Sequence, residues 1–185
     1  MSDRQDHIDE GSENLLVEEA MLDSTSNIKF ENEKPLKIIV LDDIERHAND
    51  MQAKVKSICI EQRVRADVLN PISPEEISSA EGNIDVILKL TDIVLSDSEH
   101  DYVVMLDNRL GNCSGHVIAT MMARDPRLDC KLIIISDYDV SNALQPGIIS
   151  YLKSYVLTDD HDKKLGEELR EAAGLSSIED LAEEA

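Results

Sequence analysis

The fold of this chain is decided by the stretch KIIVLDD at residues 37–43. Apolar residues, most of them β-branched, run without interruption to Leu41 and are followed by two carboxylates, Asp42 and Asp43. A short run of this kind is typical of a parallel strand that is buried on both faces. In an open α/β sheet, ligands and catalytic groups collect at the carboxyl ends of such strands. The stretch therefore predicts a central strand that ends in chemically active side chains.

Three further apolar runs also end in a polar side chain. They are YVVMLD at residues 102–107, KLIIIS at 131–136 and IISYLK at 148–153. A fifth run, residues 63–70, alternates apolar and polar positions as a short strand does. Between the runs, apolar residues recur at three- and four-residue steps, which is typical of amphipathic helices. This alternation predicts an α/β fold, a doubly wound five-stranded parallel sheet with helices on both faces.

The helices are expected to differ in length. The first follows Asp43, and the second is predicted as one long helix over residues 74–96, with Gly82 as a weak point inside it. The remaining helical segments are predicted at residues 115–125, 137–147 and 160–173. The segment 137–147 has room for only a short helix, and Gly174 is a natural end for the last one.

The formal net charge of −21 lies largely at the two ends of the chain. Residues 1–34 and residues 159–185 each contain ten acidic and three basic residues. Binding to nucleic acid or to anionic lipid requires a basic footprint, so neither is an expected partner. The chain also has no Trp and a single Phe, Phe30, and therefore no aromatic platform for stacked bases.

The sequence divides into one domain with an acidic segment on either side. Residues 1–34 lack sustained periodicity and are predicted to be a disordered acidic tail, in which residues 15–22 could form an amphipathic turn or two. Residues 35–174 form the expected domain, and residues 175–185 are expected to be an acidic tail or one short helix.

Composition and targeting signals indicate a cytoplasmic protein. The first residues have neither the basic start nor the apolar core of a signal peptide, and no apolar stretch approaches the length of a membrane span. Cys59, Cys113 and Cys130 are odd in number and lack CxxC spacing, which argues against a disulfide framework and against a zinc site. Membrane insertion is not expected.

Five polar side chains are expected to meet at the carboxyl edge of the sheet: Asp42, Asp43, Asp107, Ser136 and Lys153. Mg²⁺ prefers oxygen ligands, and carboxylates that repel one another raise the affinity for a divalent cation. When metal and lysine neutralise the entering charge, a carboxylate can act as a nucleophile towards phosphorus. Ser136 and Lys153 can then bind the phosphoryl oxygens. The pattern predicts a Mg²⁺ site beside a phosphoryl acceptor.

In this order, the residues resemble the receiver domain of two-component response regulators. The resemblance covers about residues 36–173, and its motifs are LDD at 41–43, MLD at 105–107, IS at 135–136 and YLK at 151–153, with Leu110, Ser114 and Gly115 after the third strand. It implies a flavodoxin-like, receiver-type fold. It also implies no enzyme activity beyond the chain's own aspartyl phosphorylation and dephosphorylation.

The resemblance assigns a role to each strand-end residue. Asp107 would accept a phosphoryl group from the phosphohistidine of a histidine kinase or a histidine phosphotransfer protein. Mg²⁺ would be held by Asp43, Asp107 and the backbone carbonyl of Arg109, and by Asp42 through water. Ser136 and Lys153 would hold the phosphoryl group. Because only about a dozen residues follow the last predicted helix, the expected output of a stand-alone receiver is protein–protein contact.

Several departures from the receiver pattern motivate a second hypothesis. Asp137 occupies a position that is usually small, and its charge would repel phosphate. Tyr151 lies two residues before Lys153, whereas the switch aromatic of the family lies three before, where this chain has Ser150. The segment between Ser136 and Lys153 is short, so the fourth helix of the family is expected to be stunted. These changes favour a non-switching pseudo-receiver that serves as an interaction module.

A third hypothesis is a Mg²⁺-dependent phosphohydrolase that forms an aspartyl-phosphate. Such enzymes usually need a second acid two residues after the nucleophile, where it protonates the leaving group. That position is Arg109 here, which cannot act as the acid. This third hypothesis is therefore the least favoured of the three.

Overall fold

The structure, a computed structural model, describes residues 28–153 and 162–176. Within these residues the sheet strands are β1 (Leu36–Leu41), β2 (Ala66–Leu69), β3 (Tyr102–Asp107), β6 (Cys130–Ser136) and β7 (Ile148–Leu152). Two short strands, β4 (Arg109–Leu110) and β5 (Cys113–Ser114), form a separate hairpin. The helices are α1 (Glu45–Glu61), α2 (Pro74–Ser79), α3 (Asn83–Ser96), α4 (Gly115–Met122) and α5 (Asp162–Ala172). Between β6 and β7 there is only a 3-10 turn, Ser141–Ala143.

The five sheet strands are all parallel and lie in the order β2-β1-β3-β6-β7. Numbered among themselves, the sheet strands have the order 2-1-3-4-5, which is that of the flavodoxin-like doubly wound fold. The predicted fold class is confirmed. Asp107 pairs with Ile135, and Ser136 pairs with Leu152. The carboxyl ends of these neighbouring strands are therefore level, and the residues that follow them share one edge.

Alternate residues of the strands fill two cores, one on each face of the sheet. On one face, Ile39 and Val104 pack in a cluster with Leu90 of α3, and this cluster includes residues of α2 and α4. On the other face, Val40 and Met105 belong to a cluster formed with α1 and α5. Helices on both faces explain why consecutive residues in the middle of the central strands are apolar.

The predicted long helix over residues 74–96 is wrong, because the structure has two helices there. α2 begins with a capping box between Ser73 and Glu76 and ends after six residues. The break is fixed by side chains, since Asn83 Oδ1 accepts from the backbone N–H of Ser114 at 2.7 Å. The carboxylate of Asp85 also accepts from the N–H of Glu81 at 3.0 Å. The second helix begins directly after Gly82, the predicted weak point, and the Asn83 bond ties its start to the β5 end of the hairpin.

The other elements lie close to their predicted positions. The strand predicted at residues 63–70 is limited to β2, and the segment 137–147 has only the 3-10 turn. The last helix is present as α5, and Gly174 beyond it has the left-handed φ of +68° that favours glycine. Predictions for residues 15–22 and for a short helix after residue 176 lie outside the described residues. No helix in the described ranges is both long and apolar enough to cross a membrane.

Candidate functional site

Three carboxylates meet at the carboxyl edge of the sheet. Asp42 and Asp43 follow β1, and Asp107 ends the neighbouring strand β3. One oxygen from each of the three lies within 4.8 Å of the others. The strand register produces this cluster, because Leu41 pairs with Leu106 and so brings the following residues side by side. The structure thus brings together the three carboxylates that were predicted to lie at this edge.

Asp42 is buried, with 4% of its surface exposed, and both of its oxygens have partners. Oδ1 accepts from the backbone N–H of Ile44 at 2.9 Å, at the start of α1. Oδ2 accepts from the Lys153 ammonium at 2.8 Å. A buried carboxylate needs such partners to remain charged. Helix α1 and strand β7 thus hold the carboxylate of Asp42 from two sides.

Asp43 is half-buried, and the β4–β5 hairpin positions it. The backbone N–H of Gly111, at the tip of the hairpin, donates to Asp43 Oδ2 at 2.9 Å. Gly111 has a φ of +58°, and a Cβ there would lie 3.3 Å from the Cα of Ser78 in α2. Glycine is therefore suited to this position for both conformational and steric reasons.

Asp107 lies deeper than a surface carboxylate, with 12% of its side chain exposed. Burial raises its pKa to about 6, and the charges of Asp42 and Asp137 act in the same direction. Lys153 and the backbone of Asn108 oppose this rise only in part. At neutral pH the carboxylate is mostly ionised, yet it is more basic than an ordinary aspartate. Such a group is a better nucleophile than a freely solvated carboxylate.

Lys153 is the cation of the site and is 8% exposed. Its Nζ lies 2.8 Å from Asp42 Oδ2 and 3.6 Å from Asp107 Oδ2. Burial alone would lower the pKa of the ammonium, but the hydrogen bond to Asp42 and the charges of Asp107 and Asp137 raise it overall. Lys153 therefore stays protonated at neutral pH. It joins the end of β7 to the carboxylates, as the sequence predicts.

His47 belongs to this site, although the sequence pattern did not single it out. Its Nδ1 lies 3.2 Å from Lys153 Nζ and 3.7 Å from Asp42 Oδ1. The only available signal is that His47 lies four residues after Asp43, which places it in the first turn of a helix that begins at the site. Its contact with Lys153 depends on the register of β7, which residue spacing does not give.

Ser136 ends β6 and is 1% exposed. It pairs with Leu152, the residue before Lys153, so it lies at the same edge as the carboxylates. Its Oγ accepts from the backbone N–H of Tyr138 at 3.3 Å. The contacts of the described residues thus link Ser136 to the loop after β6, and none of them joins it directly to Asp107.

Arg109, whose carbonyl is an expected metal ligand, lies in β4 directly beyond β3. Its guanidinium lies over the ring of Tyr138, 5.7 Å from the ring centroid. The Asn108 amide donates to the hydroxyl of Tyr138 at 3.2 Å. The side chain of Arg109 therefore packs on the rim of the site beside the loop after β6.

The carboxylate cluster lies on an apolar interior and borders a surface cleft at Asp43. Beneath the carboxylates there is a cavity of only about 10 Å³, lined mainly by apolar side chains such as Met51, Met105 and Ile135. Beside Asp43, between α1 and α2, a cleft of about 400 Å³ opens to the surface. A group that reaches these carboxylates must therefore come from the outside. This arrangement suits a small group, or one carried by another macromolecule, better than a deeply enclosed substrate.

The donor set has the chemistry of a divalent-cation site. Asp42, Asp43 and Asp107 supply carboxylate oxygens at close range, and Lys153 balances one of their three charges. Hard cations such as Mg²⁺ take oxygen ligands and keep several waters, which an open site allows. The set contains no thiolate that would favour a softer metal. The residues present fit Mg²⁺.

Comparison with known proteins finds no match to this chain. No protein-family model, no curated protein and no solved structure matches the chain significantly. The placement of Asp42, Asp43, Asp107 and Lys153 therefore carries the functional argument.

Proposed function

We propose that this chain is a receiver that accepts a phosphoryl group on Asp107 and signals through protein–protein contacts. The observation that carries the proposal is the arrangement around Asp107. Its carboxylate is within 4.8 Å of two further carboxylates, and the Lys153 ammonium lies 3.6 Å from its Oδ2. Acceptor and charge-neutralising groups are thus combined at the carboxyl edge of a doubly wound sheet, where Asp43 borders a surface cleft.

The proposed reaction transfers the group from a phosphohistidine to Asp107. A carboxylate oxygen of Asp107 forms a bond to phosphorus as the phosphorus–nitrogen bond of the donor breaks, and the electron pair of that bond returns to the imidazole. Lys153 can pair with a phosphoryl oxygen, and we assign the Ser136 hydroxyl to a second. The donor would be a histidine kinase or a histidine phosphotransfer protein in the cytoplasm. The surface cleft beside Asp43 supports a donor group that belongs to another protein.

The three carboxylates and the single ammonium leave an excess of negative charge, which would repel a phosphoryl group. Asp42, Asp43, Asp107 and the carbonyl of Arg109 are the residues that would hold Mg²⁺. When bound, Mg²⁺ would neutralise charge on the entering phosphoryl oxygens. The N–H of Gly111 and the ammonium of Lys153 keep two of these carboxylates in place before any cation arrives.

A second candidate is a pseudo-receiver that binds partners without switching. The observations that favour it lie around the loop after β6. The charge of Asp137 acts on both Asp107 and Lys153, and Ser136 Oγ is already bonded within its loop. Tyr151 is 5% exposed and packs in the core shared with α1 and α5. A phosphohydrolase is less favoured, because Arg109 stands where the second acid would be.

The proposal is tested by phosphoryl uptake from acetyl phosphate with Mg²⁺, followed on a Phos-tag gel. Wild type is expected to show a shifted band, and Asp107→Asn is expected to show none. Asp101→Asn is the matched control, since Asp101 precedes the same strand at the opposite edge of the sheet. If Asp107→Asn takes up the group as wild type does, the acceptor assignment is wrong.

A second measurement separates the receiver from the pseudo-receiver. Beryllofluoride and Mg²⁺ are titrated into ¹⁵N-labelled protein, and backbone amide shifts are recorded. A receiver is expected to show shifts at residues around Asp107 and in the loop after β6. A protein that shows Mg²⁺-dependent shifts at neither place retains only the interaction-module function.

A further inference from the structure

We propose that His47 is a positioning residue that fixes the Lys153 ammonium for transfer to Asp107. This role rests on the proposed phosphoryl-accepting function. The resemblance assigns nothing to His47, and the inference comes from its contact with Lys153. Its Nδ1 is 3.2 Å from Lys153 Nζ, on a side chain that is 39% exposed. The histidine thus forms part of the rim of the site and touches the group that would meet the phosphoryl oxygens.

The contact with Lys153 determines which nitrogen of the His47 ring carries the hydrogen. A lysine ammonium has three donors and no acceptor, so Nδ1 of His47 must accept the hydrogen bond. This contact assigns the ring N–H to Nε2. Asp42 Oδ1, 3.7 Å from Nδ1, does not need a proton from the ring because it accepts from the N–H of Ile44. The neighbouring hydrogen bonds are therefore compatible with this tautomer.

His47 gives the ammonium a second fixed acceptor. One Nζ proton goes to Asp42 at 2.8 Å and a second to His47 at 3.2 Å. The third remains for Asp107, whose Oδ2 is 3.6 Å away, or for an oxygen of an entering phosphoryl group. Without the imidazole, only the two carboxylates would hold the ammonium. Lys153 could then move towards Asp107 and pair with the nucleophile itself, which would make Asp107 less reactive.

The position of His47 in the fold makes this role testable without unfolding the protein. It lies in the first turn of α1, and its side chain is neither in the core nor part of an interhelical contact of the described residues. The α1 residues that pack on the sheet are Ala48, Met51, Val55 and Ile58. Replacing His47 should therefore change the position of Lys153 far more than it changes stability.

The kinetic test compares His47→Asn with His47→Leu. The amide oxygen of Asn occupies nearly the place of Nδ1 and can accept from Lys153, whereas Leu cannot. We expect His47→Leu to slow uptake from acetyl phosphate about three- to tenfold, the range of one net hydrogen bond. His47→Asn should stay within about twofold of wild type, and the Mg²⁺ dissociation constant should change little in either variant. His100→Leu is the control, because His100 pairs with Asp97 just before β3, at the other edge of the sheet.

A spectroscopic measurement tests the contact independently of activity. Long-range ¹H–¹⁵N correlations of the His47 ring are expected to show the Nε2–H tautomer in wild type. In Lys153→Met the shift of Nδ1 should change, because its donor is gone. A ring protonated on Nδ1, or equal slowing in the Asn and Leu variants, would overturn the positioning role. If wild type shows the tautomer but takes up no phosphoryl group, the proposed function fails while the contact stands.

Discussion

Lys153 donates to Asp42, with 2.8 Å between Nζ and Oδ2, although 111 residues separate them in the chain. The distance from Nζ to Asp107 Oδ2 is longer, 3.6 Å. The ammonium is therefore bound more closely to a proposed cation ligand than to the proposed acceptor. In the proposed function, cation binding at Asp42 and phosphoryl binding at Lys153 would be coupled through this contact, because both involve the same ion pair.

The first prediction concerns the loss of this pair. Lys153→Met leaves the Asp42 charge buried without its cation, which should lower the free energy of unfolding by about 3 kcal/mol. Mg²⁺ should restore part of the loss, since it supplies a counter-charge. Urea unfolding with and without Mg²⁺ measures both effects. Lys131→Met is the control: its pairing with Glu168 and Glu171 lies nearer the surface, so a change of no more than about 1 kcal/mol is expected.

The second prediction follows from the pKa of Asp107, which burial raises from 3.8 to about 6. Between these values the folded protein keeps a proton that the unfolded chain loses. The stability contributed by this proton is complete below pH 4 and is lost as pH rises through 6, by an amount on the order of 3 kcal/mol. Asp107→Asn should remove this dependence and be the more stable form above pH 6 without metal. Urea midpoints of wild type and Asp107→Asn from pH 4 to 8 measure this dependence. If the stability of Asp107→Asn falls with pH as that of wild type does, the prediction is wrong.

The third prediction concerns the charge of Asp137, which raises the pKa of Asp107. Asp137→Asn should lower the pKa of Asp107, and it should speed uptake from acetyl phosphate because it removes a charge that repels the donor. A change of a few-fold is expected, since Asp137 is exposed and water screens its charge. The effect should shrink as salt is added. Asp139→Asn, in the same exposed loop, is the control and should have the smaller effect.

The meeting of the strand-end residues was predictable because the carboxyl ends of parallel strands lie at the same edge of a sheet. A buried β-branched run that ends in a polar residue predicts both the strand and the edge at which that residue appears. Asp42, Asp43, Asp107 and Lys153 meet for this reason, even though the last two lie on different strands from the first pair. Neither the distances nor the partners of the individual oxygens follow from the pattern.

Contacts made across the fold were not predictable from the pattern. Two helices replace the predicted long one because Asn83 bonds to Ser114 and Asp85 to Glu81, and periodicity does not report such side-chain bonds. His47 was missed for the same reason, since it meets Lys153 only after α1 and β7 are both in place. Asn83 and His47 found their partners through tertiary structure, which a reading of local residue spacing does not contain.

The fourth prediction uses the tight packing of Gly115 against the backbone of Asp107. A Cβ at Gly115 would lie 2.2 Å from the backbone oxygen of Asp107 and 3.2 Å from the Cβ of Leu106. Backbone cannot move aside as a flexible side chain can, so Gly115→Ala should destabilise the protein by about 2 kcal/mol or more and should lower phosphoryl uptake. Gly82→Ala is the matched control, because a Cβ there meets nothing within 4 Å. The thermal unfolding midpoints of both variants test this prediction. Equal midpoints would show that the backbone around Gly115 adjusts to the added methyl group.

The fifth prediction concerns Arg170, a fully buried cation in α5. Its guanidinium donates to the carbonyl oxygens of Gln62 and Ser176 and to the Glu31 carboxylate, whose Oε2 is 2.7 Å away. Glu31 is the only carboxylate among these partners, and its own N–H donates to the carbonyl of Arg63 at 2.9 Å. The segment before β1 is thereby joined to the C-terminal end of α5.

Glu31→Gln keeps the shape of the side chain but removes the charge that faces Arg170. The loss should be about 3 kcal/mol, because a buried cation is left without its counter-charge. Amide hydrogen exchange should increase in α5 and at the end of α1, while the carboxylates at the other edge of the sheet keep their Mg²⁺ response. Glu33→Gln, on the same segment but outside the described contacts of Arg170, is the control and should change stability by less than about 0.5 kcal/mol. Equal effects of the two substitutions would mean that Arg170 is held by its carbonyl partners alone.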